Sequence, residues 1–218
     1  MSASTENFIK AIYLQNQREG NDVRPGTLAK MLNITNAALT DMARNLASKN
    51  LIVYTKYKPL SLTPSGQLLA MNVLRKHRLW ETFLHQTLQL SLLEIHQQAE
   101  MLEHFTSDFL AEKIDLFLGY PTTDPHGDPI PTADGQARND DTSITLSNAE
   151  VGKEYTIVRL FSSDPDFFDF CAANHIALNS RIKLEQHFEH QKMSEISING
   201  QHIVLNDTFT KVIYVQTK

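Results

Sequence analysis

Cysteine is almost absent from this sequence, which holds Cys171 alone among 218 residues. A single thiol excludes an intrachain disulfide framework and fits a reducing compartment. No stretch approaches the ~18 uninterrupted apolar residues of a membrane span. The opening stretch, Met1 to Tyr13, lacks the basic start, apolar run and cleavage site of a secretory leader. A cytoplasmic chain without a membrane partner is therefore expected. Positive charge is also short, with 20 Lys+Arg against 25 Asp+Glu and a net charge of −5. Taken alone, that balance disfavours a nucleic-acid partner. At 41% apolar the composition is that of a globular protein, and the length suits one or two domains.

The average conceals a dipole. Residues 1–78 carry 11 basic and four acidic side chains, a net +7, whereas residues 79–218 carry nine and 21, a net −12. Such asymmetry is the pattern of a polyanion-binding module joined to something else, although clustering on solvated faces also produces it. Within the basic part, Phe8, Ile9, Ile12 and Tyr13 recur at helical spacing between Glu6 and Gln17, and Gly20-Asn21-Asp22 closes that helix. Pro25 opens a second helix with Leu28, Ala29 and Leu32 inward. Thr35 or Asn36 caps a third, Ala37 to Asn50, whose buried stripe is Leu39, Met42, Ala43 and Leu46. Leu51–Lys56 and Leu60–Leu62 flank a turn and read as a hairpin.

Three helices and a hairpin make a winged helix-turn-helix, which sets its recognition helix in the major groove. The residues expected at DNA are Asn36, Ala37, Ala38, Thr40, Asp41 and Arg44, with the wing-tip residues Lys56, Tyr57 and Lys58 on phosphates. A helical mini-domain that only binds protein is the competing reading, and the basic excess disfavours it.

Thr63-Pro64-Ser65-Gly66 opens a long helix running towards Leu88, on which His77 and Glu81 share a face. A further helical stretch over Ser91–Gly119 aligns His96, Glu100, Glu103 and His104 in one stripe. Glu/His stripes are ordinarily solvated. Here Leu79, Trp80, Ile95, Ala99, Leu102 and Phe105 interleave with them, which places the acids near a buried seam where they need a cation. Carboxylates and imidazoles without thiolate suit manganese(II) or iron(II), and zinc or cobalt less selectively. Neither a ferritin-like Glu-x-x-His spacing nor a His-Glu-x-x-His helix is present. No nucleophile elbow or phosphate loop occurs, which argues against an enzyme.

The runs Arg75-Lys76-His77-Arg78-Leu79-Trp80-Glu81, Ile95 to His104, and Asp124-Pro125-His126-Gly127-Asp128-Pro129-Ile130-Pro131 resemble the DtxR/MntR family of metal-dependent transcriptional repressors, along essentially the whole chain. The resemblance implies two metal positions per subunit, filled by manganese(II) or iron(II). One would use His77, Glu81 and His96 with a polar residue of the C-terminal domain, for which Asp164 or Asp166 are candidates. The other would use Glu100, Glu103 and His104 with Asn7, where relatives carry Asp or Met. Lys10 stands where some manganese sensors have Glu, which speaks against their bridged two-metal arrangement. Glu100 replaces the Cys of the iron-sensing type, a lean towards manganese. A homodimer on a palindromic double-stranded operator is implied as well.

Pro121–Asp141 reads as an irregular connector in which His126 is a packing or turn residue. Beyond it, β runs at Tyr155–Phe161, Arg181–Phe188, Ser194–Ile198, His202–Leu205 and Lys211–Gln216, with a helix at Phe167–Asn174, fit an SH3-like β-barrel. The expected fold is thus mainly α with a C-terminal all-β module: a winged helix over 1–64, a helical metal-binding and dimerisation segment over 65–142, and the barrel over 143–218. The expected function is metal-activated repression of metal-uptake genes. A winged-helix regulator of a non-metal ligand, or a metal-dependent enzyme with an accessory DNA-binding domain, are the alternatives.

Overall fold

The computed structural model describes residues 1–19, 23–56, 58–136, 142–162 and 164–217. The expected helix stop at Gly20-Asn21-Asp22, Tyr57 of the wing and Asp141 of the connector lie outside them. The chain divides into two compact units with alternating segments. The first comprises Met1–His77, Glu100–Lys113 and Pro131–Gln136; the second comprises Arg78–Ala99, Ile114–Ile130 and Ala137–Lys218.

In the first unit, α1 (Ala3–Glu19), α2 (Pro25–Met31), α3 (Asn36–Ser48), β1 (Ile52–Val53) and β2 (Ser61–Leu62) follow one another. Pro25 sits in the first turn of α2, where its missing N–H costs nothing. Thr35 Oγ1 accepts the Ala38 N–H at 3.2 Å, a cap contributing about 1 kcal/mol. The two short strands pair antiparallel with Ile52 opposite Leu62. Phe8, Ile9, Ile12, Leu28, Leu39, Leu46 and Leu60 are almost fully buried in one core, each contributing roughly 1.5–3 kcal/mol. Next comes α4 (Pro64–Leu88). Thr63 Oγ1 caps it by accepting the Gly66 N–H at 3.1 Å. A Cβ on Gly66 would lie 2.0 Å from the Leu51 carbonyl oxygen, so glycine's helix penalty is the condition for this close approach.

The stretch expected as one helix over Ser91–Gly119 is broken. α5 (Leu92–Leu102) continues into a 3₁₀ turn, Glu103–Phe105, and α6 (Asp108–Phe117) restarts after it. Thr106 is extended at φ −82°, ψ 118°, and Ser107 Oγ accepts the Leu110 N–H at 3.2 Å to cap α6. A capping box starts α5: Glu94 accepts the Ser91 N–H at 2.8 Å and Ser91 Oγ accepts the Glu94 N–H at 3.3 Å.

In the second unit, β3 (Ile144–Thr145), β4 (Glu154–Leu160), α7 (Pro165–Ala173), β5 (Arg181–Phe188), β6 (Met193–Ile198), β7 (Gln201–Asn206), α8 (Asp207–Thr210) and β8 (Ile213–Gln216) follow. The strands form one antiparallel sheet in the order β3-β8-β4-β5-β6-β7. Inward alternation of Tyr155, Ile157, Ile182, Leu184, Ile196 and Val215 builds its core with Phe167 of α7. The last strand begins at Ile213 rather than the expected Lys211, because Asn206 Oδ1 accepts the Phe209 N–H at 2.8 Å and starts α8.

The first part of the connector has no helix or strand element, as expected, but it is a hydrogen-bonded turn held against β4. Asp124 Oδ1 accepts the N–H groups of His126 (2.8 Å) and Asp128 (2.9 Å), and the His126 carbonyl accepts the Leu160 N–H of β4 at 2.8 Å. Gly127 has φ +85°, and a Cβ there would stand 2.0 Å from the Val158 carbonyl oxygen. Gly127→Ala is expected to lower unfolding free energy by roughly 3 kcal/mol, from backbone strain and overpacking. Gly26→Ala, with open space around it in the helix α2, should be neutral or slightly stabilising. Chemical denaturation of the two variants checks this, and equal midpoints would contradict it. Among the described residues, no helix is long and apolar enough to cross a membrane.

Candidate metal centre

The first unit brings together side chains from α1, α4, α5 and the 3₁₀ turn. Helical spacing along α1 sets Glu6, Asn7 and Lys10 on one face. Lys10 Nζ donates to Glu100 Oε2 at 2.7 Å and to Glu103 Oε1 at 2.6 Å. His77 Nδ1 donates to Glu103 Oε2 at 2.6 Å and lies 3.8 Å from Glu100 Oε2. Ligand atoms of His77, Glu100 and Glu103 all lie within 4.8 Å of one another. Glu103 is 1% exposed, and burying a carboxylate is costly unless partners such as these surround it.

His104 adds a second kind of group. Its Nδ1 donates to Glu6 Oε2 at 2.6 Å, which fixes the tautomer and leaves the Nε2 lone pair as the ligating atom. Nε2 is buried, has no hydrogen-bond partner and lies 3.4 Å from Glu103 Oε1. Asn7 Oδ1 is likewise buried without a partner. A buried nitrogen lone pair and a buried amide oxygen left unsatisfied each cost about 1–3 kcal/mol. A divalent cation beside Glu103 Oε1 would satisfy the His104 lone pair. The donor set of one imidazole and otherwise oxygen, without thiolate, fits manganese(II) or iron(II).

In the second unit, His96 Nδ1 lies 3.1 Å from Glu81 Oε1. The same oxygen is 3.5 Å from His126 Nε2, and neither ring nitrogen of His126 has a hydrogen-bond partner. His126 does pack, as expected, with its ring 5.2 Å from that of Phe168. It also joins the Glu81 group, which sequence reasoning missed. Burial disfavours its charged ring, but Glu81, Asp124 and Asp128 outweigh burial and raise its pKa. Burial, then Asp128 and Glu81, push the Asp124 carboxyl well above its ordinary range against the pull of Arg78 and His126. Arg78 donates to the Pro129 carbonyl at 2.5 Å and pairs with Asp124 at 3.7 Å and Asp128 at 3.5 Å. The available signal was Asp124 itself, an acid two residues before a histidine in a tight turn. Asp164 is exposed, and its Oδ1 accepts the Asp166 N–H at 3.1 Å as the cap of α7.

The winged helix presents the other predicted residues. Asn36, Ala37, Ala38, Asp41 and Arg44 are exposed on α3. Thr40 is half-buried, and its hydroxyl donates back to the Asn36 carbonyl at 2.8 Å. Arg44 and Asp41 pair loosely at 3.9 Å, a solvated contact worth little. Lys56 and Lys58 are exposed on the wing. Arg24, Thr27 and Lys30 line a groove with Thr35 and Asn36.

Family models match three consecutive parts of the chain. Residues 1–60 match "Iron dependent repressor, N-terminal DNA binding domain", residues 63–132 "Iron dependent repressor, metal binding and dimerisation domain", and residues 144–217 "FeoA domain". The diphtheria toxin repressor of Corynebacterium diphtheriae is 25% identical over 98% of this chain and 96% of its own. The iron-dependent repressor IdeR of Mycobacterium tuberculosis is 30% identical over 59% of this chain and 55% of its own. Among solved structures, a manganese-dependent transcriptional repressor in complex with manganese superposes with a TM-score of 0.92 at 31% identity, covering 98% of this chain and all of the other. The manganese regulator SloR does so with a TM-score of 0.86 at 28% identity over the full length of both chains.

Proposed function

The chain belongs to the DtxR/MntR family of metal-dependent transcriptional repressors, and from that premise we propose where its metal and DNA sites lie. It is an iron- or manganese-dependent repressor that binds operator DNA as a dimer. Its family is one of regulators, and we take regulation, not catalysis, as its activity. The three working segments are 1–64, 65–142 and 143–218.

Two metal positions per subunit are assigned. Asn7, Glu100, Glu103 and His104 form the first. His77, Glu81 and His96 form the second, with His126 in the place that the sequence offered to Asp164. The observation carrying this reading is the buried, unpartnered His104 Nε2, 3.4 Å from Glu103 Oε1, with Asn7 Oδ1 likewise buried and unpartnered on α1. When bound, a divalent ion supplies charge neutralisation and a link between α1 and the 3₁₀ turn. The chain's own residues do the rest. Glu6 orients the His104 ring, Glu103 presents its carboxylate, and Asn7 ties the response to the first helix of the DNA-binding part. Asn36, Ala37, Ala38, Thr40, Asp41 and Arg44 then face the major groove, with Lys56 and Lys58 on phosphates. Oxygen-rich ligation leans towards manganese over thiophilic metals.

Manganese(II) or iron(II), titrated anaerobically at buffered free concentration, is expected to raise operator affinity by about 5–150-fold, the usual range of coupling between two sites. Fluorescence anisotropy with a labelled operator measures it. Affinity indifferent to both metals would favour a regulator of some other ligand.

A further inference from the structure

We propose that the Lys10 ammonium is a resident cation that permanently holds a second cation position on the Glu100/Glu103 pair, so that this centre accepts one divalent ion and not two. The inference rests on the metal-centre reading above and deepens it.

His104 Nε2 and Asn7 Oδ1 are buried and unpartnered, and His104 Nε2 lies 3.4 Å from Glu103 Oε1. His77, Glu100 and Glu103 bring ligand atoms within 4.8 Å of one another, a spacing that suits a metal ion, with His77 Nδ1 on Glu103 Oε2. Yet Lys10 Nζ already bonds Glu100 Oε2 at 2.7 Å and Glu103 Oε1 at 2.6 Å. Its side chain is 9% exposed and that of Glu103 is 0%. This ion pair is thus far stiffer and less screened than a surface pair.

Charge points the same way. Glu6, Glu100 and Glu103 bring three negative charges and Lys10 one positive, all joined through His104 and the shared Glu103. The remaining two negative charges are what one divalent ion balances. Beside Lys10 a second divalent ion would leave two excess positive charges around the buried Glu103, against one without the ammonium, and each is costly to bury. Removing the ammonium leaves three negative charges and frees Glu103 Oε1 and Glu100 Oε2, the latter 3.8 Å from His77 Nδ1.

The test compares Lys10→Leu, and Lys10→Gln as a second uncharged variant, with Lys10→Arg and the unsubstituted protein, each full length and loaded with manganese(II). Equilibrium dialysis with metal analysis counts the ions, and low-temperature electron paramagnetic resonance detects an exchange-coupled pair sharing carboxylates. The uncharged variants should hold one more manganese per chain than the unsubstituted protein and show the coupled spectrum. The unsubstituted protein and Lys10→Arg should show no coupled spectrum. An unchanged count in a folded Lys10→Leu or Lys10→Gln protein, or a coupled pair already present without substitution, overturns the proposal. So does failure of both uncharged variants to fold at any manganese concentration, because manganese should replace the lost positive charge. His104→Ala separates the two readings. If it removes no manganese from the otherwise unsubstituted protein, the metal-centre assignment fails. If it removes one while Lys10→Leu gains none, only the Lys10 inference fails.

Discussion

His104→Ala is expected to abolish metal-activated operator binding while leaving the fold intact. The imidazole offers the centre a buried, unpartnered nitrogen, and its other nitrogen is engaged by Glu6 at 2.6 Å. Removing a neighbour that merely orients a ligand typically costs 10–100-fold in metal affinity, so loss of the ligand itself should cost more than about 100-fold. Glu6→Gln keeps a hydrogen-bond acceptor but removes the charge and should fall between the two, near 10-fold. A metal shifts a conformational equilibrium only by its difference in affinity for the two states, so the operator response should disappear with the binding. Glu103→Ala should lose the response as well, but it also strips Lys10 and His77 of a buried partner and so combines two effects. Calorimetric manganese titration and operator anisotropy, run on the same preparations, decide the matter. Undiminished metal-dependent operator affinity in His104→Ala would falsify the assignment.

Paired replacement of Phe105 and Phe109 by glutamate should convert the dimer to monomers. Phe105 is 91% exposed and Phe109 72% in the single chain, and α6 carries Leu110, Leu116 and Phe117 exposed as well. Repeats at i+7 place Phe109 with Leu116 and Leu110 with Phe117, so the helix presents one apolar face. Contiguous exposed apolar surface of this kind marks an interaction site, and residues 63–132 match a metal-binding and dimerisation domain. Each phenylalanine buried there contributes roughly 1.5–3 kcal/mol. In a two-fold interface every substitution acts twice. The expected result is a monomer by sedimentation and an operator affinity about 100- to 10,000-fold weaker, since one half-site no longer tethers the other. A variant that stays dimeric would place the interface elsewhere.

Local signals were legible in the chain, and remote pairings were not. Pro25 and Thr35 announce the starts of α2 and α3, because a missing N–H and a hydroxyl acceptor act within one turn. The expected stripe His96, Glu100, Glu103, His104 rests on one helical period, but α5 ends at Leu102, and Glu103 and His104 lie in the 3₁₀ turn. The break after Glu103–Phe105 escaped because apolar periodicity runs straight through it, while Thr106-Ser107-Asp108 held the capping signal. Asp164-Pro165 is also a helix-start pattern, and its carboxylate is engaged in capping α7. The Glu6–His104 pair joins residues 98 positions apart. The Lys10 contacts span 90 and 93. No periodicity reports such contacts, since only folding brings those helices together.

The 3₁₀ turn at Glu103–Phe105 bears on how the chain tolerates changes in length. Three adjacent residues point to three tasks: Glu103 is buried against Lys10 and His77, His104 turns to Glu6, and Phe105 projects outward. One inserted or deleted residue between Glu100 and Phe105 would rotate everything after it by roughly 100°. The three side chains would then exchange directions, aiming an apolar ring at the carboxylates and a ligand at solvent. An insertion or deletion inside this turn is therefore expected to disturb the acid and imidazole cluster and the exposed apolar face together, whereas one outside it would not couple the two.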